Sequence, residues 1–368
     1  MISNNPWPSS IHPFMSRPIR ANIDLSAMES NLQVARKLTS ARIMAVIKAA
    51  AYGHGVLRAA EALRAADGFA VLDVNDAVQL REAGYRQTIL LLEGFFTPDD
   101  LAVVAEYDLA CVLHSPQQMA MLDAYPRRGS LQTWLKVNSG MNRLGFAPHD
   151  VPAVMEQLKA HSAVREITLM THFSHADEVT GVSAQLEIFN ALAAPYRVAR
   201  SLANSAALIR YPATHADWVR PGIMLYGASP FPEVSAQQSG LRPAMTLCSE
   251  IISVRELRAG ESIGYGGQFT AEATMRVGVI ACGYADGYPR HATTGTPVLI
   301  EGQRTRTLGR VSMDMMTVDL SALPAAKVGS RVTLWGIGLP VEEVAHAANT
   351  ISYELLCALT ARVPVHIQ

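Results

Sequence analysis

The amino-acid sequence predicts an α/β fold in two parts: a (β/α)8 TIM-like barrel followed by a mostly-β domain. Up to about residue 240, short apolar segments of strand length alternate with segments of helical spacing such as LRAAEALRAA. About eight such βα units over roughly 220 residues match the size of a (β/α)8 barrel. A doubly wound open sheet is the alternative, although no G-x-G-x-x-G follows an early strand.

The elements follow this pattern in order along the chain. The strand-like segments of the first part are IRANIDL, IMAVIK, GFAVLD, TILLLEG, LACVLHS, TWLKVNSG, ITLMTHFS, RSLANSA and VRPGI. After about Gly240 the pattern changes to strand-like segments separated by glycine-rich turns: MTLCSEIISVREL, MRVGVIACGYA, TPVLIEG, TRTLGRVSMDMMTVDL and RVTLWG, with helical spacing only in VEEVAHAANTISYELLCAL. We therefore expect a flexible arm over residues 1–15, a barrel over 16–240 and a β domain over 241–368.

Composition and charge argue against several classes of protein. The chain has 368 residues and a formal net charge of −1, which gives no electrostatic reason to expect nucleic acid or an anionic membrane as partner. Its four cysteines are far apart, so neither a disulfide framework nor a structural zinc site is expected, and a reducing cytoplasm fits best. No apolar run approaches the roughly 20 residues that span a bilayer. The first residues lack the basic and apolar regions of a signal peptide.

Polar side chains gather where the predicted barrel strands end. In such barrels the loops at the carboxyl ends of the strands build the active site. These ends supply amines, guanidinium groups, a histidine, hydroxyls and a glycine: Lys48, Tyr52, Lys136, Asn138, Arg143, His172, Asn204, Ser205, Arg220 and Gly222. We expect them to converge on one face, where the late loops LANSAA and RPGI suit a phosphorylated ligand. His172 and His175 would point to opposite faces of a strand, so no metal site is expected.

Several motifs resemble those of alanine racemases, a family of pyridoxal-phosphate enzymes of the barrel type. The run VIKAAAYGHG resembles the family's lysine signature. KVNSGMNRLGF, LANSAA, VRPGIMLYG, GYGGQF, CGYADGYPR and VSMDM resemble its other motifs, in the same order. The resemblance runs from about Ser16 to the C-terminus and is greatest to the catabolic branch. It implies racemisation of L-alanine and D-alanine, either to supply D-alanine for the cell wall or to catabolise alanine.

The resemblance also implies how pyridoxal 5′-phosphate is held. Lys48 would bind it as a Schiff base, which requires a neutral amine and hence a lowered pKa. Arg220 would face the pyridine nitrogen, where most such enzymes use a carboxylate; because arginine stays protonated, transamination would be suppressed. Arg143 would lie beside the phenolic oxygen, oriented by Lys136, a candidate for carbamylation. The remaining cofactor contacts would come from Tyr52, His172, Asn204, Ser205, Gly222, Ile223 and Tyr353.

Racemisation needs a base on each face of the substrate Cα. By resemblance, Lys48 would take the proton from D-alanine and Tyr265 the proton from L-alanine. The resemblance further implies a head-to-tail homodimer in which Tyr265 reaches the site of the partner subunit. Met313 would contact the substrate carboxylate there together with Arg143, and Tyr284 would line the entrance.

Two positions depart from the family pattern. Ala50 stands where the lysine signature usually carries Asn or Asp, so a polar side chain near the cofactor is lost. Ser201 stands where many relatives have a histidine that supports the pyridine-facing arginine, although serine is common in the catabolic branch.

Three other functions share some of these sequence features. Pyridoxal-phosphate decarboxylases of basic amino acids share the barrel, but they use an acidic residue where this chain has Arg220. Small non-catalytic proteins that carry pyridoxal phosphate lack a β domain. Racemisation of another small amino acid, such as serine, is the closest alternative.

Overall fold

Two sheets organise the part of the chain that the structure describes, residues 17–125 and 128–368 of a computed structural model. One is a closed, eight-stranded parallel barrel, and the other is an eight-stranded, mostly antiparallel sheet with a two-stranded hairpin beside it. The predicted barrel followed by a mostly-β domain is confirmed, and the doubly wound open sheet is wrong. The arm expected over residues 1–15 lies outside the described residues.

Eight of the first nine strands close the barrel in chain order. The nine are β1 (Arg20–Ile23), β2 (Arg42–Val46), β3 (Gly68–Val71), β4 (Thr88–Leu91), β5 (Ala110–Leu113), β6 (Leu131–Lys136), β7 (Val164–Met170), β8 (Ala199–Ser201) and β9 (Trp218–Val219). Strands β2 to β9 form the barrel, and β2 pairs with β9 to close it. Strands such as β3 and β5 are buried at every residue, because helices cover the outside while side chains fill the inside.

Helices connect the barrel strands and cover the outside of the barrel, except Lys48–Tyr52 (α2), which is a left-handed turn at the mouth. They are α1 (Leu25–Leu38), α2 (Lys48–Tyr52), α3 (Val56–Ala62), α4 (Val74–Glu82), α5 (Pro98–Glu106), α6 (Pro116–Asp123), α7 (Val151–Ala160), α8 (Ser183–Ala193) and α9 (Ser205–Arg210), with 3₁₀ turns at Pro212–Thr214 and Ile223–Tyr226. Local sequence starts several of them. Asp24 caps α1 by accepting the Ala27 N–H at 2.9 Å, and Thr97 and Asp100 form a capping box around Pro98 at the start of α5.

The β domain is built around one long strand. Its elements are β10 (Met245–Leu257), β11 (Ser262–Ile263), β12 (Phe269–Thr270), β13 (Met275–Ile280), β14 (Pro297–Ile300), β15 (Gln303–Leu308), β16 (Met316–Asp319), β17 (Arg331–Trp335), α10 (Val341–Ala347), α11 (Ser352–Cys357) and β18 (Val365–Ile367), with 3₁₀ turns at Tyr265–Gly267 and Tyr284–Asp286. Strand β10 pairs with β17, β1 and β13, and irregular register lets it bend between them. The ring β10–β13–β16–β15–β14–β17 therefore closes on itself.

The first strand does not belong to the barrel. We expected IRANIDL to begin the run of barrel strands, and this is wrong. Strand β1 pairs antiparallel with β10 and parallel with β18, so it lies in the sheet of the β domain. Alternation in RANI predicts a half-buried strand but carries no information about which sheet it joins. We therefore propose the domain limits 16–240 and 241–368 along the chain, although residues 20–23 belong to the first segment in sequence and to the sheet of the β domain in space.

None of the helices in residues 17–125 and 128–368 combines the length and apolar character needed to span a bilayer.

Candidate active site

A cavity of about 450 Å³ opens at the carboxyl ends of the barrel strands, and we call it the mouth cavity. Its size is typical of a site for a small molecule or cofactor. It brings together eleven residues that the sequence predicted: Lys48, Tyr52, Lys136, Arg143, His172, Asn204, Ser205, Arg220, Gly222, Ile223 and Tyr353. Asn138 is not among the lining residues. Its side-chain oxygen accepts the N–H groups of Gly140 and Asn142, so it shapes the loop that leads to Arg143.

Lys48 begins a left-handed turn directly after β2. Ala49, Ala50, Ala51 and Tyr52 have φ of 54°, 50°, 54° and 52°, a conformation that costs L-residues roughly 1–2 kcal/mol each. The surrounding fold compensates for this strain. The ring Nδ1–H of buried His54 donates to the carbonyl oxygens of Ala51 and Tyr52 at 3.0 and 2.9 Å, and burial lowers the pKa of His54 to about 4, so the ring stays neutral. The turn sets the Lys48 amine at the mouth and returns Tyr52 to the cavity wall.

Four cations and one carboxylate, Glu93, line the mouth cavity. Burial, and then the charge of Arg143, lower the pKa of Lys48. Burial and the positive charges of Arg220, Arg143 and Lys48 lower the pKa of Lys136 to about 8, against the opposing effect of Glu93. Burial also holds the pKa of His172 well below its usual range. The site is therefore electropositive, yet its two amines lose their protons more easily than free lysine.

Arg220 is fixed by three hydrogen bonds inside the barrel. One Nη donates to the Ser201 hydroxyl at 2.6 Å, and the other donates to the carbonyl oxygens of Thr171 and Leu202 at 2.6 and 3.2 Å. Ser201 in turn donates to the Trp218 carbonyl at 3.0 Å, so its lone pairs face the guanidinium. Burial lowers the pKa of Arg220 only to about 10, which leaves it charged at neutral pH. Ser201 thus supports this arginine directly.

A cradle of hydroxyl and amide groups forms the opposite wall. The Gly222 N–H donates to the Ser205 hydroxyl at 2.8 Å, and a Cβ at Gly222 would lie 2.6 Å from the Tyr52 hydroxyl. Tyr52 stacks on Tyr226 with ring centroids 4.7 Å apart and lies 5.9 Å from the ring of Tyr353. Only glycine fits where backbone and phenol approach so closely. Asn204 lines the same wall, although its side-chain oxygen caps α9 by accepting the Ala207 N–H.

Comparison with known proteins identifies the fold as that of one family. The model for the N-terminal domain of alanine racemase matches residues 23–230, and the model for the C-terminal domain of alanine racemase matches residues 244–367. The chain belongs to the alanine racemase family. It is 60% identical to an alanine racemase of Nitrosospira multiformis over 95% of this chain and 99% of that one. It is 57% identical to that of Nitrosomonas europaea, over 95% and 98% of the two chains.

Solved structures of alanine racemases share the whole architecture. A biosynthetic alanine racemase from Pseudomonas aeruginosa superposes with a TM-score of 0.94 at 47% identity, covering 96% of this chain and 99% of that one. An alanine racemase from Acinetobacter baumannii gives a TM-score of 0.89 at 37% identity, covering 96% and 100%. The match therefore includes both the barrel and the β domain.

Three residues predicted for the alanine racemase site do not line the mouth cavity. Tyr265, Tyr284 and Met313 belong to loops between strands of the β domain, and we call these segments the β-domain loops. Tyr265 is 72% exposed and Met313 is 52% exposed. A single chain therefore contains the mouth cavity, while Tyr265, Tyr284 and Met313, which were predicted to contact a substrate in that cavity, lie outside it.

The sequence reasoning missed two polar residues of the mouth cavity, Glu93 and Cys357. Glu93 lies two residues after the end of β4, so the rule that located Lys48 and Lys136 at strand ends also applies to it. Cys357 ends α11, one helical turn after Tyr353. The side chain of Ala50 is not among the cavity-lining groups, and the residue is exposed. The expectation that a side chain at position 50 lies near the cofactor is therefore not supported by the cavity.

Proposed function

We propose that this member of the alanine racemase family interconverts L-alanine and D-alanine, with pyridoxal 5′-phosphate held in the mouth cavity and one catalytic base from each of two subunits. The observation that carries the proposal is the position of Lys48, whose pKa is lowered by burial, at a strand end inside an electropositive cavity. Family membership over nearly the full chain supports the substrate.

The residues of the mouth cavity fit pyridoxal phosphate. The group carries a phosphate anion and an aldehyde, and its amino-acid substrate adds a carboxylate. The guanidinium groups of Arg143 and Arg220 suit that negative charge, and the hydroxyls of Tyr52, Ser205 and Tyr353 are phosphate hydrogen-bonding groups. A Cβ added at Gly222 would lie 2.6 Å from the Tyr52 hydroxyl, so no side chain separates the backbone at this position from the cavity, as in cradles where backbone N–H groups face an anion.

Particular residues would hold each part of the group. Lys48 would hold the aldehyde carbon, and the cradle of Tyr52, Ser205, Tyr353 and the backbone at Gly222 and Ile223 would hold the phosphate. Arg220 would donate to the ring nitrogen, Arg143 would lie at the phenolic oxygen and the substrate, and His172 and Asn204 would flank the ring. When bound, pyridoxal phosphate supplies an electron-accepting ring that makes the Cα proton of an attached amino acid easier to remove.

The two bases would act on opposite faces of the substrate. The lowered pKa of Lys48 favours the neutral amine that accepts a proton from the Cα of D-alanine. Tyr265 would accept the proton from L-alanine. Because Tyr265 is exposed and lies outside the cavity of its own chain, the proposal requires the β-domain loops to enter the cavity of a partner subunit. A head-to-tail homodimer satisfies this requirement twice, once at each site.

Arg220 would suppress transamination, the side reaction that competes with racemisation. With a pKa of about 10 it stays charged at neutral pH, so it donates a hydrogen bond without giving its proton to a ring nitrogen. A ring that is not protonated there draws electrons less strongly, which favours return of the proton to Cα over transamination.

Lys136 is a proposed site of carbamylation. A neutral amine attacks carbon dioxide to form an N–C bond and releases one proton, and the pKa of about 8 leaves an appreciable neutral fraction near that pH. The carbamate would pair with Arg143 and orient it. Labelled carbon dioxide should give a carbamate NMR signal that grows as the pH rises through about 8 and is absent in Lys136→Ala. A signal that survives this substitution would place the modification elsewhere.

We further propose that the chain belongs to the catabolic branch of the family and that it is located in the cytoplasm. The motifs KVNSGMNRLGF and VRPGIMLYGASP support the first, and four cysteines without paired spacing support the second. Because racemisation is reversible, the role is tested by expression and not by activity: a catabolic enzyme should be made in larger amount when alanine is the carbon source, and equal amounts on alanine and on another carbon source would indicate a biosynthetic role.

The proposed function is tested by assaying the purified protein with pyridoxal phosphate and D-alanine, and measuring L-alanine over time, with D-serine in parallel. Alanine should be turned over much faster than serine. Borohydride reduction followed by peptide mapping should find the cofactor on Lys48. Faster turnover of serine, or a label on a different lysine, would contradict the substrate or the site.

A further inference from the structure

Three segments of the β domain and the start of the described chain meet at one buried carboxylate, Asp286. Its side chain has no exposed surface. Arg17 approaches both carboxylate oxygens at 2.8 and 3.2 Å, the Arg362 Nε lies 2.8 Å from one of them, and the Gly283 N–H donates to the other at 2.9 Å. The same two arginines also bind Asp314: Arg17 donates to its carbonyl oxygen at 2.7 Å, and Arg362 approaches its carboxylate at 2.5 Å.

These contacts hold two loops against each other through their backbones. The Tyr284 N–H donates to the Ser312 carbonyl and the Ala285 N–H donates to the Met313 carbonyl, both at 3.0 Å. At Gly283 the approach is so close that an added Cβ would lie 2.3 Å from the Met313 carbonyl oxygen. The loop that carries Tyr284 and the loop that carries Met313 are therefore joined through their backbones. Arg17 and Arg362 join them a second time, because each arginine contacts both Asp286 and Asp314.

The Met313 carbonyl accepts the hydrogen bond from Ala285, while in the described part of the chain the N–H and the side chain of Met313 remain free to contact a ligand. Among residues 17–125 and 128–368, the Met313 N–H donates no hydrogen bond to a protein acceptor, and the side chain is half exposed. An amide N–H presented in this way can bind a carboxylate. Its position depends on the carbonyl contact with Ala285, and hence on the turn that Asp286 closes.

We propose that Asp286 is a positioning residue for the active site of the partner subunit: by clamping the turn Tyr284–Asp286 to the loop of Met313 with Arg17 and Arg362, it fixes the Met313 amide and the Tyr284 ring that enter the partner's cavity. The inference rests on the proposed function, because it requires the shared site. Asp286 touches no substrate; it acts through the backbone of two residues that would.

The cluster also contacts a segment that serves the chain's own cavity. Thr360 donates its N–H to the Asp286 carbonyl at 3.3 Å and its hydroxyl to the Ala285 carbonyl at 2.9 Å. Residue 360 lies three residues beyond α11, which carries Tyr353 of the mouth cavity. A purely structural role would disturb both cavities, whereas the proposed role disturbs only the cavity that receives the β-domain loops. This difference can be measured.

The test uses mixed dimers of two inactive chains, Lys48→Ala and Tyr265→Ala, separated from the parent dimers by two affinity tags. In such a dimer the working cavity has Lys48 from the Tyr265→Ala chain and the β-domain loops from the Lys48→Ala chain. Asp286→Asn is then placed on either chain. On the Lys48→Ala chain it should lower kcat/KM for alanine about tenfold or more, mainly by raising KM, because the Met313 amide shifts. On the Tyr265→Ala chain it should leave both constants unchanged.

Arg362→Lys provides a second variant if the chain with Asp286→Asn does not fold, since a lysine keeps the charge but cannot span Asp286 and Asp314 together. Arg331→Lys, at an exposed ion pair with Glu301 in the same domain, is the matched control and should have no effect on either chain. Equal losses on both chains, or no loss on either, would overturn the positioning role. Mixed dimers that are inactive without any further substitution would instead overturn the shared site itself.

Discussion

The mouth cavity and the β-domain loops differ in nearly every physical property, although both are predicted to serve the same reaction. The cavity is deep and electropositive, and Lys136, Ser205 and Arg220 in its wall are buried. In the loops, Tyr265 and Met313 are exposed and bear an aromatic and a thioether side chain, whereas Asp286 is buried. The cavity can bind and charge-balance a ligand around Lys48, and the proposed second base, Tyr265, lies outside it. The loops offer a proposed base without a binding site, and we therefore propose that the two regions form one active site across two subunits.

The largest expected effect is the loss of the cavity's own base. Lys48→Ala should lower kcat/KM in both directions by about 10⁴-fold or more, because a general base and the attachment point of the cofactor are removed together. Steady-state assays with each enantiomer measure this. Lys159→Ala, at a half-exposed lysine on α7, is the control and should behave as the unaltered protein. Appreciable racemisation by Lys48→Ala would remove the cavity from the mechanism.

Tyr265→Phe removes the base that the β-domain loops are proposed to supply. It should lower racemisation about 10²-fold or more, as expected for a lost general base. Exchange of the Cα proton with deuterium should fall far more for L-alanine than for D-alanine, because Lys48 still serves the D-enantiomer. Tyr196→Phe, where the ring packs against Lys159 on the barrel exterior, is the control. Equal loss of exchange from both enantiomers would be inconsistent with one base per face.

Ser201→Ala tests the wall of the cavity with a smaller effect. Removing the hydroxyl leaves one Nη of buried Arg220 without its 2.6 Å partner, and a hydrogen bond to a charged group is worth about 1.5–3 kcal/mol. We expect kcat/KM to fall about tenfold. Ser249→Ala removes a buried hydroxyl that donates to the Ala281 carbonyl in the β domain, and serves as control. Similar losses in the two variants would mean that Ser201 contributes only to stability.

The smallest expected effect concerns the strained turn after Lys48. Asparagine tolerates the left-handed conformation of Ala50 better than alanine does, so Ala50→Asn should stabilise the protein by about 1 kcal/mol. The free energy of unfolding in denaturant measures this, and kcat should stay unchanged because residue 50 does not line the cavity. The same substitution at exposed Ala120, in right-handed α6, should destabilise slightly. A large change in kcat would show that position 50 does reach the reacting groups.

The barrel and most of the mouth cavity could be predicted from sequence, because both follow from periodicity. Once the strands are located, the rule that active sites form at their carboxyl ends brings Lys48, Lys136 and Arg220 together without further information. The same rule applied to LLLEG would have added Glu93. Resemblance was needed for Tyr353, Tyr265 and Met313, which lie outside the barrel strands.

Two features could not be predicted from local sequence. KAAAY contains three alanines, which favour a right-handed helix, whereas the packing of Tyr52 and His54 against Tyr226 and the hydrogen bonds of the His54 ring hold the turn left-handed. The pairing of β1 with β10 and β18 is likewise a long-range choice between two sheets. In both places, tertiary contacts override what the local pattern predicts.

We propose that one active site combines the cavity of one subunit with the β-domain loops of another. The decisive measurement is the activity recovered on mixing Lys48→Ala with Tyr265→Ala under conditions of demonstrated subunit exchange. With random exchange half of the dimers are mixed and each has one complete site in two, so about a quarter of normal activity should return. If both bases belonged to one chain, every site would still lack one of them. No recovery after exchange would contradict the shared site.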